Sequence, residues 1–505
     1  MANAKSFLFP FKYSSRVAFV AEFSHLKIRL YAQGALVRDY GTADGDGEDD
    51  DDDYFGEVVV PETTGEADLN GGTGDGASGE NGGNGGEDGG SGEETSGSKM
   101  TIMTDNGNGL IITGDDAGGG IGGGTGDGTD FPPLVIDSPY TYSDLWDGDE
   151  LCCKLQVIQH SDVMYIFSEN HPLTLLKRYA NDDWRLEELE ILNGPFEAMN
   201  TTDVAIKANG QSGEVTLTAD GDVFAATDVG RLIRLRAFND DTKPWAAGEK
   251  VEGMDIRLSD NKYYMSKTGG TTGSIKPVHS EGTRSDGGVS WTYMHDGSGI
   301  AKITAFISPT QVTAEVVRRL PDMVTKESTV CWELGMLHGA AKYPKSGAFF
   351  RNRFAFLINT ATGPNVCLSC SGDYNNFADT DNGEATAETA ITVPVLNTEF
   401  NEGKWLFARD VLFVGTGAAE FYIDVISTAQ PLAADNVKIA QISNVGSKAI
   451  MPVAVGVHVF FADRYGLSLR DLVYNYYNDG YDQTDISLLG KHLFQARIVA
   501  MAYQE

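Results

Sequence analysis

Short apolar runs that alternate or continue for a few residues and then stop at Gly, Pro, Asn or Asp recur through this chain. They constrain its fold more than any other feature. The stretch from Ser346 to Phe377, SGAFFRNRFAFLINTATGPNVCLSCSGDYNNF, is the clearest unit. An aromatic-rich run, Ala348 to Ile358, precedes a turn around Gly363-Pro364 and a second run, Val366 to Ser371. A polar corner, Gly372-Asp373-Tyr374-Asn375-Asn376, then leads to Phe377. Extended backbone sends successive side chains to opposite faces, so such units read as paired strands joined by polar loops. Similar units lie on both sides, and helical periodicity is sparse, with Ser328 to Leu337 and Ser468 to Asn478 the best helix candidates. The expected fold class is all-β: β-propeller-like blades with an inserted β-sandwich module and a Gly/Asp-rich insertion.

Taken in order, residues 1–40 supply N-terminal strands of the propeller or its platform. Arg16 to Phe23 and Lys27 to Tyr31 alternate around a Ser24-His25-Leu26 turn, the pattern of a meander. Residues 41–134 form the Gly/Asp-rich acidic insertion, whose composition favours a flexible segment over a packed one. Gly71-Gly72-Thr73-Gly74-Asp75-Gly76 suggests calcium-binding repeats, but no nine-residue register persists. Residues 135–212 are a propeller-like blade region. Tyr142 to Glu150 begins it as an acidic, helix-compatible segment, and strands follow over Cys153 to Gln159, Asp162 to Phe167, Leu175 to Tyr179 and Trp184 to Leu186. Residues 213–320 read as the inserted β-sandwich module and residues 321–505 as further blades, including runs at Leu406 to Val414, Glu420 to Ile426 and Val453 to Phe461.

The formal net charge is −35, and the segment 41–134 alone holds 23 Asp or Glu against one Lys, so 22 of those negative charges sit there. A protein that wraps nucleic acid by neutralising phosphates needs clustered Lys and Arg, which this chain lacks. The five cysteines, Cys152, Cys153, Cys331, Cys367 and Cys370, are an odd number and argue for a reducing compartment over a disulfide framework. The opening residues have no apolar core of a signal peptide, and no run is long and apolar enough to span a bilayer.

Chemical motifs are weak. Cys367-Leu368-Ser369-Cys370 is a bare C-x-x-C without a second ligand pair, and two packed thiols explain it better than zinc. His160-Ser161-Asp162 holds triad letters, yet adjacent residues cannot converge and no nucleophile elbow exists. With 73 acids in the chain, carboxylate pairs signal little, and the glycines from Gly119 to Gly124 lack the strand and helix of a phosphate cradle. No catalytic, metal-binding or cofactor-binding residue is assigned, no cofactor is expected, and the chain is read as a non-enzyme.

A set of blocks resembles the tail nozzle family of short-tailed bacteriophages, also called tail tubular protein B. They are Phe11-Lys12-Tyr13-Ser14-Ser15 through Ile28-Arg29-Leu30-Tyr31, Ser138-Pro139-Tyr140, Gln159 to Tyr165, Leu176 to Trp184, Gly194-Pro195-Phe196, Ala348 to Arg353 with Ser371 to Phe377, and Asp485 with His492 and Ala500 to Tyr503. The segment from Tyr263-Tyr264 to Trp291 is similar to a small β module of phage tail proteins. The resemblance implies a propeller-rich subunit in a homo-hexameric ring that extends the portal-adaptor channel. DNA passes through without specific binding, and tail fibres attach nearby. It implies localisation in the virion tail after assembly in the host cytoplasm, and marks Trp184, Pro195, Phe350, Arg353, Asp373 and Phe377 as structural blade residues. Family members usually have another β module before the first block and continue beyond Ala500 to Tyr503, so a second tail polypeptide completing the fold is one expectation. The alternative function is a peripheral receptor- or carbohydrate-binding tail protein, with Trp245, Tyr263, Tyr264 and Trp291 as candidate surface aromatics.

Overall fold

In the computed structural model the described residues are 6–12, 18–32, 35–39, 99–104, 132–238, 241–339, 341–380, 385–397, 401–477, 479–494 and 496–504. The N-terminal alternation forms a meander as expected: Phe7–Lys12, Ala18–Ser24 and Lys27–Ala32 pair in order, antiparallel. Ala35–Leu36 and Val135–Asp137 both pair with the third of these strands. Of the 41–134 insertion, Lys99–Thr104 is a strand, paired with Ile498–Gln504. The acidic run Glu48 to Asp53 and the Gly71 to Gly76 and Gly119 to Gly124 tracts lie outside the described residues.

Four further meanders have the same order, each of four antiparallel strands. The first comprises Gln156–His160, Val163–Ser168, His171–Arg178 and Trp184–Glu188; the second Ser346–Phe350, Arg353–Thr360, Gly363–Leu368 and Ile391–Pro394. Gly403–Ala408, Leu412–Thr416, Glu420–Val425 and Val437–Ser443 make the third, and Val453–Val455, His458–Ala462, Leu469–Asn475 and Gly480–Asp485 the fourth. Three runs expected as single strands are hairpins. Ala348 to Ile358 breaks at Arg351-Asn352, both left-handed at φ 48° and 61°, which is the twist-compatible two-residue turn. Leu406 to Val414 breaks before Leu412, and Val453 to Phe461 at Gly456-Val457. Both helix candidates are corrected: Trp332–Leu334 lies within Ser328 to Leu337, Leu469–Asn475 within Ser468 to Asn478, and both are strands. Pairing with neighbouring strands outweighs a weak local preference. Of the segment from Tyr142 to Glu150, only Tyr142–Leu145 is helical.

Burial on both faces explains why these strands read as continuous apolar runs. In the second meander Phe354, Phe356 and Ile358 share a core with Tyr165, Phe167 and Leu175 of the first. The intervening Ala355 and Leu357 face Leu406, Leu412 and Val414 of the third. Met164, Ile166, Leu176 and Trp184 pack on Phe11, Phe23 and Ile28 of the N-terminal sheet. Trp405 and Phe413 of the third meander meet Val459, Phe461 and Leu472 of the fourth. The first three meanders are therefore each covered by the sheet before and the sheet after them in this series. The last strand, Ile498–Gln504, touches Val453–Val455 of the fourth meander and also Cys152–Cys153 just ahead of the first; Ile498 shares a core with Cys152, Ile450 and Ala462.

Between the first and second meanders lies the inserted module. In place of two facing sheets with a common core, it has a six-stranded sheet in the order Ile206–Ala208, Glu214–Ala219, Gln311–Arg318, Ser298–Ser308, Leu232–Arg236, Trp332–Leu334. A small sheet of Ile256–Ser259, Lys262–Thr268, Val289–His295 and Thr283–Asp286 has a core of its own.

The sheet interfaces leave no room for added volume. A methyl group at Gly415 would fall inside the indole ring of Trp405, whereas Gly148 has open space around its Cα. Gly415→Ala is expected to lower stability by about 1–3 kcal/mol, the usual cost of overpacking, with Gly148→Ala close to neutral. Denaturant midpoints at constant m-value check this.

Candidate functional site

At the end of the meanders where their first strands begin, buried charges tie successive sheets together. Lys345, just before Ser346–Phe350, donates to Glu169 at 2.8 Å and Glu402 at 2.9 Å. Glu169 sits in the turn before His171–Arg178, and Glu402 directly precedes Gly403–Ala408. Lys404 in turn reaches Glu402 at 3.1 Å and Glu150 at 2.9 Å. Asn359 donates to Glu169 at 3.0 Å and accepts from the Gly403 amide at 2.8 Å, while Gln156 donates to the Lys404 carbonyl at 2.8 Å. Lys448 donates to the Ile498 carbonyl at 2.7 Å, attaching the last strand.

Burial alone would lower the two lysines, but Glu169 and Glu402 outweigh it at Lys345, and Glu402 and Glu150 at Lys404, so both are raised. Burial pushes Glu402 up, and the two lysines pull it further down, so its net shift is downward. Each carboxylate is matched by an ammonium at hydrogen-bond distance. No group of three or more His, Cys, Asp and Glu able to hold a metal occurs among the described residues. The arrangement acts as an electrostatic tie between sheets.

The six expected blade residues do not converge on one site. Trp184 is buried against Phe11 and Phe19, and its indole donates to the Asn181 carbonyl at 3.0 Å. Phe350 and Phe377 are core residues of different sheet interfaces. Pro195 follows a cis peptide bond and accepts from the Met336 amide; Asp373 accepts from Asn376 at 3.1 Å in the polar corner. Arg353 is buried, and backbone carbonyls receive its hydrogen bonds. Its guanidinium donates to the carbonyls of Ser369, Thr389 and Ala387 at 2.5–2.7 Å and of Leu432 at 3.3 Å, joining the second meander to the loop between the third and fourth strands of the third. Burial lowers its pKa.

The expectation of exposed aromatics in the inserted module is corrected. Tyr264 and Trp291 are fully buried, Tyr263 is nearly so, and Trp245 packs against them. Tyr264 donates to the His279 carbonyl at 2.6 Å and Trp245 to Asp286 at 3.1 Å. A sheet this small has few other large apolar side chains, so its aromatics must form the core. The thiols are packed: burial raises Cys367 to about 12 and raises Cys370, and all five cysteines are free. His160 stacks near Phe349 and Tyr374, and Ser161 occupies a left-handed turn position, so the three adjacent triad letters form a hairpin turn.

Long-range charge pairs were not legible in the sequence. Arg234, in the apolar run Leu232–Arg236, bonds Glu333 within its own sheet and Asp379 in the second meander's loop, at 2.6 and 3.0 Å to the latter. Its guanidinium also stacks 4.3 Å from the Phe196 ring centroid. The signal was a charge inside an otherwise apolar strand, which marks a buried partner without saying where it lies. No family model and no curated protein matches this chain.

Lys345→Met is expected to leave Glu169 without an ammonium partner and Glu402 with Lys404 alone. It should cost about 2–3 kcal/mol, below the ~3–5 typical of a fully buried pair because Glu402 keeps some water contact. Since folding lowers the Glu402 pKa, its stabilising contribution is complete above the unfolded value of 4.5 and is lost as pH falls through the folded value. Acid titration of unfolding should thus show a shallower acid limb in Lys345→Met than in the parent protein.

Proposed function

We propose that this chain is a structural, non-enzymatic virion protein: one subunit of a ring-shaped tail nozzle of a short-tailed bacteriophage. In this reading a homo-hexamer extends the portal-adaptor channel and conducts or gates DNA during ejection. The observation that carries it is the succession of four-stranded meanders, each packed on the next in chain order, with their first strands gathered at one end by the Lys345 and Lys404 tie. In this reading the meanders are propeller blades, the architecture implied by the ordered sequence blocks. In this reading Ile498–Gln504, touching both Val453–Val455 and Cys152–Cys153, links the last blade to the first.

The charge is consistent with this role. Duplex DNA bears one negative charge per about 1.7 Å of axis, and in a chain of net charge −35 the 38 Lys and Arg are outnumbered by 73 Asp and Glu, which favours sliding over binding. Cyclic symmetry turns one repeated contact into a closed tube. The receptor- or carbohydrate-binding alternative drew on Trp245, Tyr263, Tyr264 and Trp291; the last three are buried, and Trp245 is half-buried against the core that holds Tyr264 and Trp291.

Purified protein mixed with portal-adaptor complexes should form a ring coaxial with the portal in negative-stain images. A protein that stays monomeric under these conditions, or attaches only to the side of the tail, would overturn the proposal.

A further inference from the structure

We propose that the cleft between the Arg351-Asn352 turn and the loop at Pro431-Leu432 binds a small oxyanion, a phosphate or a carboxylate. The cleft holds about 220 Å³ and is lined by Arg351, Arg353, Ser371, Ala387, Pro431 and Leu432. Two of these side chains end in guanidinium groups, and none is acidic.

The buried cation of the cleft is Arg353, which is 2% exposed. Its two terminal nitrogens donate to the carbonyls of Ser369, Thr389, Ala387 and Leu432, which leaves the Nε–H without an acceptor among the described residues. Carbonyl oxygens satisfy hydrogen bonds but bring no formal charge to offset that of the guanidinium, and a buried ion without a counter-charge is costly. Besides burial, the group that acts on its titration is the Cys370 thiol, and among the described residues no aspartate or glutamate does so.

Arg351 lines the same cleft with a side chain that is 39% exposed, and its Nη2 pairs with Asp424 at 2.8 Å. The cleft therefore has two guanidinium groups and a single paired carboxylate, so one positive charge stays unmatched. Guanidinium holds oxyanions through its fork of N–H donors, and the Ser371 hydroxyl adds a further donor to the lining. Ala387, Pro431 and Leu432 form an apolar wall that suits the carbon part of an organic phosphate or carboxylate. At net charge −35 the chain as a whole repels anions, so the attraction is local to this cleft. The site does not depend on whether the ring proposed above forms.

Thermal unfolding of the full chain in rising inorganic phosphate, or in rising acetate, with ionic strength held constant by sodium chloride, tests this. A bound anion should raise the midpoint along a saturating curve. Phosphate also stabilises proteins by exclusion from their surface, so the informative comparison is with variants that change the cleft alone. Arg351→Gln is expected to need about tenfold more anion for half the shift, through loss of one charge-assisted contact. Asp424→Asn, which releases Arg351 from its ion pair, should need less anion than the parent protein. Half-shift concentrations that are equal in all three proteins overturn the proposal, as does a midpoint that neither phosphate nor acetate raises beyond sodium chloride. Phosphorus NMR gives a second readout: the inorganic phosphate line should broaden more with the parent chain than with Arg351→Gln, and equal broadening also overturns the proposal.

Discussion

A strand that is apolar on both faces must be covered on both, and the architecture follows from that requirement. Phe354, Phe356 and Ile358 face one neighbouring sheet while Ala355 and Leu357 face the other, so the second meander has no solvent side along its central strand. A lone four-stranded sheet of this composition would expose two hydrophobic faces, and stacking sheets in series removes both. Antiparallel sheets elsewhere commonly keep one wet face. Here that condition holds best for the N-terminal sheet, whose alternation places Phe11, Phe23 and Ile28 inward and Leu8 and Lys12 toward solvent.

Non-directional hydrophobic contact sets which sheets meet but leaves their relative slide poorly fixed. Charges and hydrogen bonds supply that. Lys345 can satisfy Glu169 and Glu402 together only when three sheets hold one alignment, and Lys404 extends the same condition to Glu150. Arg353 does similar work with backbone carbonyls from three separate segments. Arg234 does so for the inserted module, through Asp379. An unpaired charge at such positions would be costly, so each group restricts the alternatives more than it adds to net stability.

The function proposed above would draw on this packing: a channel subunit needs a wall that does not reshape as its contents pass, and these sheets are held by apolar contacts and by ion pairs between them. The hairpin that joins Leu469–Asn475 to Gly480–Asp485 packs on the third meander through the Tyr481–Phe413 contact, while Tyr476 and Tyr477 stay exposed.

Most of the strand content and the turns marked by Gly, Asn or Asp were legible locally, because alternation and such punctuation are properties of neighbouring residues. Where two strands are joined by a two-residue turn, as at Arg351-Asn352, the apolar pattern runs through the corner and the hairpin is hidden. The aromatics of the inserted module show the other limit: alternation placed Tyr264 and Trp291 on strands, but only the absence of a larger core around them decides that they face inward. By itself the sequence determined an all-β chain, since periodicity acts between adjacent residues. Which faces meet, which of its many acids find a lysine, and which tyrosines remain in water were decided by the tertiary structure, because those partners are separated by up to hundreds of residues and carry no mutual signal along the chain.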